Sequence, residues 1–236
     1  REKLLVVVQL SGGNDYLNCI VPWEDPRYQD SRAAVRITEE EVIPLDNGLG
    51  LNPGMAAFKD LYDEGKVAII HGIGYPTPSR SHFRSMDIWH TATPDRVGEQ
   101  GWLGQAIRQM DPNGSNVVTA VNFGNALPRA LAAPGVPVAS VGDLDDYGLL
   151  TGMAGAAQRE QALSAFSRIY TPGVGSGMVM DYLGQTGLDA LKGADILKQA
   201  PAMYESTVEY PDTPIAKSLK GVAQVHMADL GTRVFY

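Results

Sequence analysis

The feature that most constrains this chain is its opening. Leu4-Leu-Val-Val-Val-Gln-Leu10 is a nearly unbroken aliphatic run, and Ser11-Gly12-Gly13-Asn14-Asp15 follows it at once. Such a run predicts a strand buried on both faces, the signature of a parallel sheet sandwiched by helices. Val67–Ile73 reads as a second strand of this kind, and Asn116–Val121, Val136–Val141 and Val234–Tyr236 as further ones. Between the first two, residues 54–64 carry Met55, Phe58, Leu61 and Tyr62 at helical spacing, predicting a right-handed strand-helix-strand crossover.

Thr77-Pro78 and Thr213-Pro214 each place a capping residue before proline, predicting helices to about His90 and Leu230. Gln158–Ile169 and Met178–Lys198 also read as helical. Strand signals are sparse over 150–211, which predicts a helical insertion or cap within one α/β domain spanning 1–236. Gly173–Gly177 follows Pro172 rather than a strand, so it reads as a hinge loop and not a phosphate cradle.

Composition sets limits on function. The 236 residues are 44% hydrophobic and 19% charged, enough for a packed core. The formal charge of −8 repels phosphate backbones, which argues against nucleic acid as a partner while leaving room for a small anion in a locally positive site. Cys19 is the sole cysteine, so no disulfide forms within the chain. The longest aliphatic run falls far short of the ~20 residues a spanning helix requires, predicting no transmembrane segment. The sequence opens on Arg1 without an apolar leader and stops on a strand pattern, which predicts a trimmed chain.

Two stretches could carry chemistry. Ligands of open α/β sheets sit beyond the carboxyl ends of strands, where Ser11–Asp15 falls. There the paired glycines allow a sharp turn and a close ligand approach, while Asn14 and Asp15 offer hard oxygens to a divalent cation or a hydroxyl. The plain alternative is a tight turn stabilised by Asp15. The adjacent glycines do not fit Gly-x-Gly-x-x-Gly, so a dinucleotide loop is set aside. Gly-Gly-Asn-Asp also resembles the third block of the SGNH esterases, where it follows a nucleophile block; only ten residues precede Ser11, so the order differs, and an SGNH-type esterase stays the lesser alternative.

The second stretch is Ser79-Arg80-Ser81-His82-Phe83-Arg84. A serine in the first turn of a helix, between two guanidinium groups, suits attack on phosphate or sulfate esters. Here the plain alternative is a helix cap, with Arg84 paired to Asp87 or Asp95. His71 reads as a core histidine within its strand. His90 and His226 have no partner at zinc spacing.

Taken together, Leu5–Asp15 with Asn18 and Val21-Pro22, Arg80–Trp89, Gly101-Trp-Leu-Gly104 and Leu230–Tyr236 resemble, in order, the motifs of the domain-of-unknown-function family 1501. The resemblance implies membership of the alkaline-phosphatase superfamily, beside sulfatases and phosphoglycerate mutases. It implies a mostly parallel sheet flanked by helices, incomplete at its C-terminus here. It matches Asp15 to a first-strand metal ligand and Ser81 to the nucleophile; beside them, the residues themselves offer Arg80, His82, Arg84 and Asn14 as substrate-binding candidates. Tyr16 departs from the glycine common at that position and would narrow the site's mouth or alter the turn.

The implied activity is metal-dependent hydrolysis of phosphate or sulfate esters, on a small anionic ester or a glycan. The implied cofactor is a divalent metal (Zn, Mn, Mg or Ca). The family's later Asp- and His-containing motifs, which supply most metal ligands, are not among these residues, so this chain alone is expected not to complete a metal centre. Export, often behind a twin-arginine signal, is implied as well. The competing reading is a non-catalytic exported envelope protein that binds a glycan or a protein partner.

Overall fold

The computed structural model describes residues 3–10, 14–124, 126–144, 157–158, 161–162, 164–165, 168 and 178–236. The chain forms two compact units, one comprising Arg1–Val8 with Thr77–Tyr236 and the other Gln9–Pro76.

The larger unit is an α/β sandwich. Its sheet contains β1 (Leu5–Val6), β5 (Ala120–Phe123), β6 (Ala139–Val141) and β7 (Val234–Phe235) in the order β1-β7-β5-β6, with every ladder parallel. Side chains alternate across a strand, so neighbouring residues feed opposite layers. Val121 and Phe235 join Val141, Leu197 and Val225 in one cluster, while Ala120 and Val234 join Leu103, Ile107 and Leu131 in the other. The first layer is covered by α5 (Met178–Leu197) and α6 (Pro214–Met227), the second by α4 (Trp102–Met110). This is the expected parallel sheet with helices on both faces.

The helix expected over 178–198 forms, and its C-terminal end belongs to the sheet's own core. The helix expected after Thr213 also forms, with Thr213 Oγ1 accepting from the Ala216 amide. Of the helix expected over 158–169 only scattered residues are described, all helical, and the Gly173–Gly177 loop lies outside the described residues.

Two expected strands need correction. The Leu4–Leu10 strand is short and lies at the sheet edge, its one ladder among the described residues formed with β7, with Leu5 41%, Val8 53% and Leu10 64% exposed. An edge position leaves one side of the ladder open, so burial on both faces does not follow from an aliphatic run. Val67–Ile73 forms no strand. Gly72 turns the backbone at φ +69°, no residue of the segment joins a ladder among the described residues, and Ile70 (70%) and Ile73 (59%) are exposed. The predicted crossover is therefore absent.

The smaller unit pairs β2 (Ile20–Val21), β3 (Ile43–Pro44) and β4 (Gly50–Leu51) into an antiparallel sheet in the order β2-β4-β3. Val21, Tyr28, Ile37 and Val42 form its core, with Trp23 packed against them. Tyr28, on α1 (Pro26–Ser31), donates its hydroxyl to Asn18 Oδ1 and accepts from the Ile37 amide, so its polar tip is satisfied inside that core. The expected 54–64 helix appears as α2 (Ala56–Asp63) behind a 3-10 turn at Pro53–Met55, and none of its residues is buried.

Candidate functional site

The candidate residues fall in two groups, Asn14 and Asp15 in the smaller unit and Arg80, Ser81, His82 and Arg84 in the larger. Ser11, Gly12 and Gly13 lie outside the described residues.

Asp15 opens the 3-10 turn Tyr16–Asn18 through its backbone, its carbonyl accepting from the Asn18 and Cys19 amides. Its side chain makes no cap. The carboxylate instead takes the Arg32 guanidinium, an ion pair with side-chain exposures of 47% for Asp15 and 22% for Arg32. Arg32 lies on the adjoining segment, 5.9 Å above the Tyr28 ring centroid. Asn14 Oδ1 accepts from Cys19 Sγ at 3.3 Å. Tyr16 turns its hydroxyl to His71 Nδ1 at 2.7 Å, the rings meeting edge to face. His71 is exposed, a correction of its expected place in a core strand, because that strand does not form.

A metal centre at Asp15 needs further anionic or imidazole donors around it. No group of three or more His, Cys, Asp or Glu residues stands together among the described residues. The one acidic candidate is already neutralised by Arg32. The described donor set does not fit a metal ion, and no chemical step is derived through one.

The second group surrounds the start of α3 (His82–Thr91). The helix begins four residues later than Thr77-Pro78 predicts. Thr77 adopts φ +50°, which excludes the extended backbone of a cap residue. Ser79 provides local bonds instead, its Oγ accepting from the Ser81 amide and its carbonyl from Ser85 Oγ. Ser81 is then the N-cap, extended at φ −79°, ψ 121°, its Oγ accepting from the Arg84 amide at 3.4 Å. The plain reading of Ser81 as a cap is thus realised. At 3.4 Å this is a long bond, and the exposed hydroxyl keeps its own proton and a further lone pair.

The remaining members divide sharply. The amides of His82 and Phe83 have no acceptor among the described residues, as expected for the first positions of a helix. Arg80 and His82 are exposed and without a hydrogen-bond or ion-pair partner among the described residues. Arg84, expected to bind substrate, is committed elsewhere. It donates to Asp87 Oδ2 at 2.6 Å and to the carbonyls of Thr93, Pro94 and Arg96 at 3.1, 3.1 and 2.6 Å. Asp87 is held on its other oxygen by Arg129 at 2.6 Å. Arg84 therefore ties the loop after α3 to the helix, a correction of its sequence role. Nearby, burial holds His90 below the usual imidazole range, the Asp87 charge opposing that shift and Arg129 adding to it.

Sequence reading missed Arg32 as the partner of Asp15. The two lie 17 residues apart with no periodic relation, so only the fold of the smaller unit could bring them together.

Comparison with family models, with curated proteins and with solved structures finds no match for this chain.

Proposed function

We propose that the chain belongs to a hydrolase of phosphate or sulfate esters in which Ser81 is the nucleophile. The observation that carries this reading is the start of α3, where an exposed serine hydroxyl stands beside the unpaired amides of His82 and Phe83. Unpaired amides and the positive end of the helix attract an anionic ester. Arg80 and His82 add unpartnered cationic or donor groups on either side of the serine. In the proposed step the Ser81 oxygen bonds to phosphorus or sulfur, the ester oxygen departs, and the serine proton passes to water. The motif resemblance to the 1501 family supports the same assignment, including its alkaline-phosphatase-like fold and its export. A metal in this scheme requires donors beyond Asp15.

The test is turnover of aryl phosphates and aryl sulfates, with and without Zn²⁺, Mn²⁺, Mg²⁺ or Ca²⁺. Ser81→Asn keeps a cap-forming side chain while removing the nucleophile. We expect it to abolish turnover with α3 intact, and Arg80→Ala to raise KM. Wild-type rates in Ser81→Asn would rule out the assignment.

A second reading, a non-catalytic protein that binds a glycan or protein partner, draws on different observations. Ser81 already serves as a cap, and Asp15 is neutralised by Arg32. Absence of turnover across the whole panel favours it.

A further inference from the structure

The parallel sheet has a cavity at its carboxyl edge that involves none of the candidate site residues described above. Phe123 and Gly124 at the end of β5, and Gly142, Asp143 and Leu144 after β6, form one side. The other side is a single face of α6, with Lys217, Ser218, Gly221 and Gln224 at helical spacing and Lys220 at its margin. The cavity encloses about 550 Å³, within the range of small-molecule sites.

Gly221 makes the close approach possible. A Cβ there would lie 2.3 Å from the Phe123 ring, so the ring sits against bare helix backbone. Three positions further along, Gln224 is only 6% exposed, lines the cavity, and has no partner for its amide among the described residues. Its amide atoms stay in touch with water at the cavity wall, and a ligand's hydroxyl groups can replace that water.

The surrounding chemistry selects the ligand class. The α6 start is a poor anion site: Pro214 has no N–H, Thr213 Oγ1 takes the Ala216 amide, and the Lys217 amide bonds the Thr213 carbonyl. Among the described lining residues the charges balance, with Lys217 paired to Asp212 at 2.8 Å, and Lys220 and Asp143 also present. A ligand of strong net charge gains nothing from such a lining. Hydroxyl groups, each both donor and acceptor, can serve the Gln224 amide and the Lys220 ammonium alike, while an apolar ring face can rest on Phe123.

We infer that this cavity binds a neutral sugar, with Gln224 as the buried hydrogen-bonding anchor. The inference is independent of the Ser81 reading. The test is saturation-transfer NMR and calorimetry on the 236-residue chain with glucose, galactose, mannose, N-acetylglucosamine and maltose, beside inorganic phosphate and glycine. At least one sugar should bind, and Gln224→Leu should weaken it about tenfold, the loss of one good buried hydrogen bond. Leu is close to Gln in volume and Gln224 holds no side-chain hydrogen bond among the described residues, so this variant should melt close to wild type. Lys220→Ala, at the margin, is the second variant and should weaken binding several-fold. Failure of every sugar to bind, preference for phosphate or glycine, or unchanged sugar affinity in both variants would overturn the proposal.

Discussion

Arg84 offers the sharpest test of whether this region is built for structure or for substrate. Its guanidinium reaches four acceptors: one Asp87 oxygen and the carbonyls of Thr93, Pro94 and Arg96. Hydrogen bonds from a charged group contribute roughly 1.5–3 kcal/mol each, but they are not additive. Two facts reduce the total. Pro94 and Arg96 are exposed, so water can replace the lost donor at their carbonyls, and Asp87 keeps Arg129 as a partner. Arg84→Met, which retains much of the stem, should therefore destabilise the larger unit by about 2–3 kcal/mol. Arg84→Lys can restore one bond but not the fork, so it should fall between.

The assay is urea unfolding followed by tryptophan fluorescence, since Trp89 and Trp102 flank this loop. Arg80→Ala serves as control and should stay within about 0.5 kcal/mol of wild type, as surface changes usually do. A cost below about 0.5 kcal/mol for Arg84→Met, together with lost binding of an anionic ester, would refute the structural assignment and return Arg84 to the substrate site.

Other predictions follow from the same contacts. Gly101→Ala places a Cβ 2.1 Å from the carbonyl oxygens of Arg129 and Ala130, backbone that cannot swing aside, and should cost about 3 kcal/mol in denaturant unfolding. For Asp15 and Arg32, a double-mutant cycle on stability should give a coupling of about 0.5 kcal/mol, given the exposure of the carboxylate. A coupling near zero would show that the Arg32 contact adds nothing to stability. His90 is held below the usual imidazole range by burial, so its neutral form is favoured in the folded state. Its contribution is complete above an unfolded pKa of about 6.5 and is lost as pH falls through the lower folded value. His90→Gln should accordingly flatten the decline of melting temperature below pH 6.5, and an unchanged profile would exclude His90 as its source.

Much of the architecture was legible in the sequence because it depends on local chemistry. Thr213 before Pro214 marked a helix start, and the cap bond to Ala216 forms there. The stretches Asn116–Val121, Val136–Val141 and Val234–Tyr236 marked strands of a parallel sheet, and its ladders join Ala120–Phe123, Ala139–Val141 and Val234–Phe235, so the places were legible and the bounds were not. Ser81 was legible as a serine at a helix start, which is where it stands.

Tertiary structure alone decided what an aliphatic run becomes and what a charged residue does. Leu4–Leu10 and Val67–Ile73 look alike as sequences. One became an exposed edge strand on the single ladder with β7, and the other became irregular chain that joins no ladder among the described residues. A ladder is a property of two segments, so neither outcome is written in one of them. The same reasoning separates Asp15, committed to Arg32, from Arg80, committed to nothing described. It also accounts for Gln224, an ordinary polar residue on a helix until the packing of α6 against β5 buries it beside a cavity. Residue types set the chemistry available to this chain, and long-range packing decided which groups were consumed in holding the fold and which were left to act.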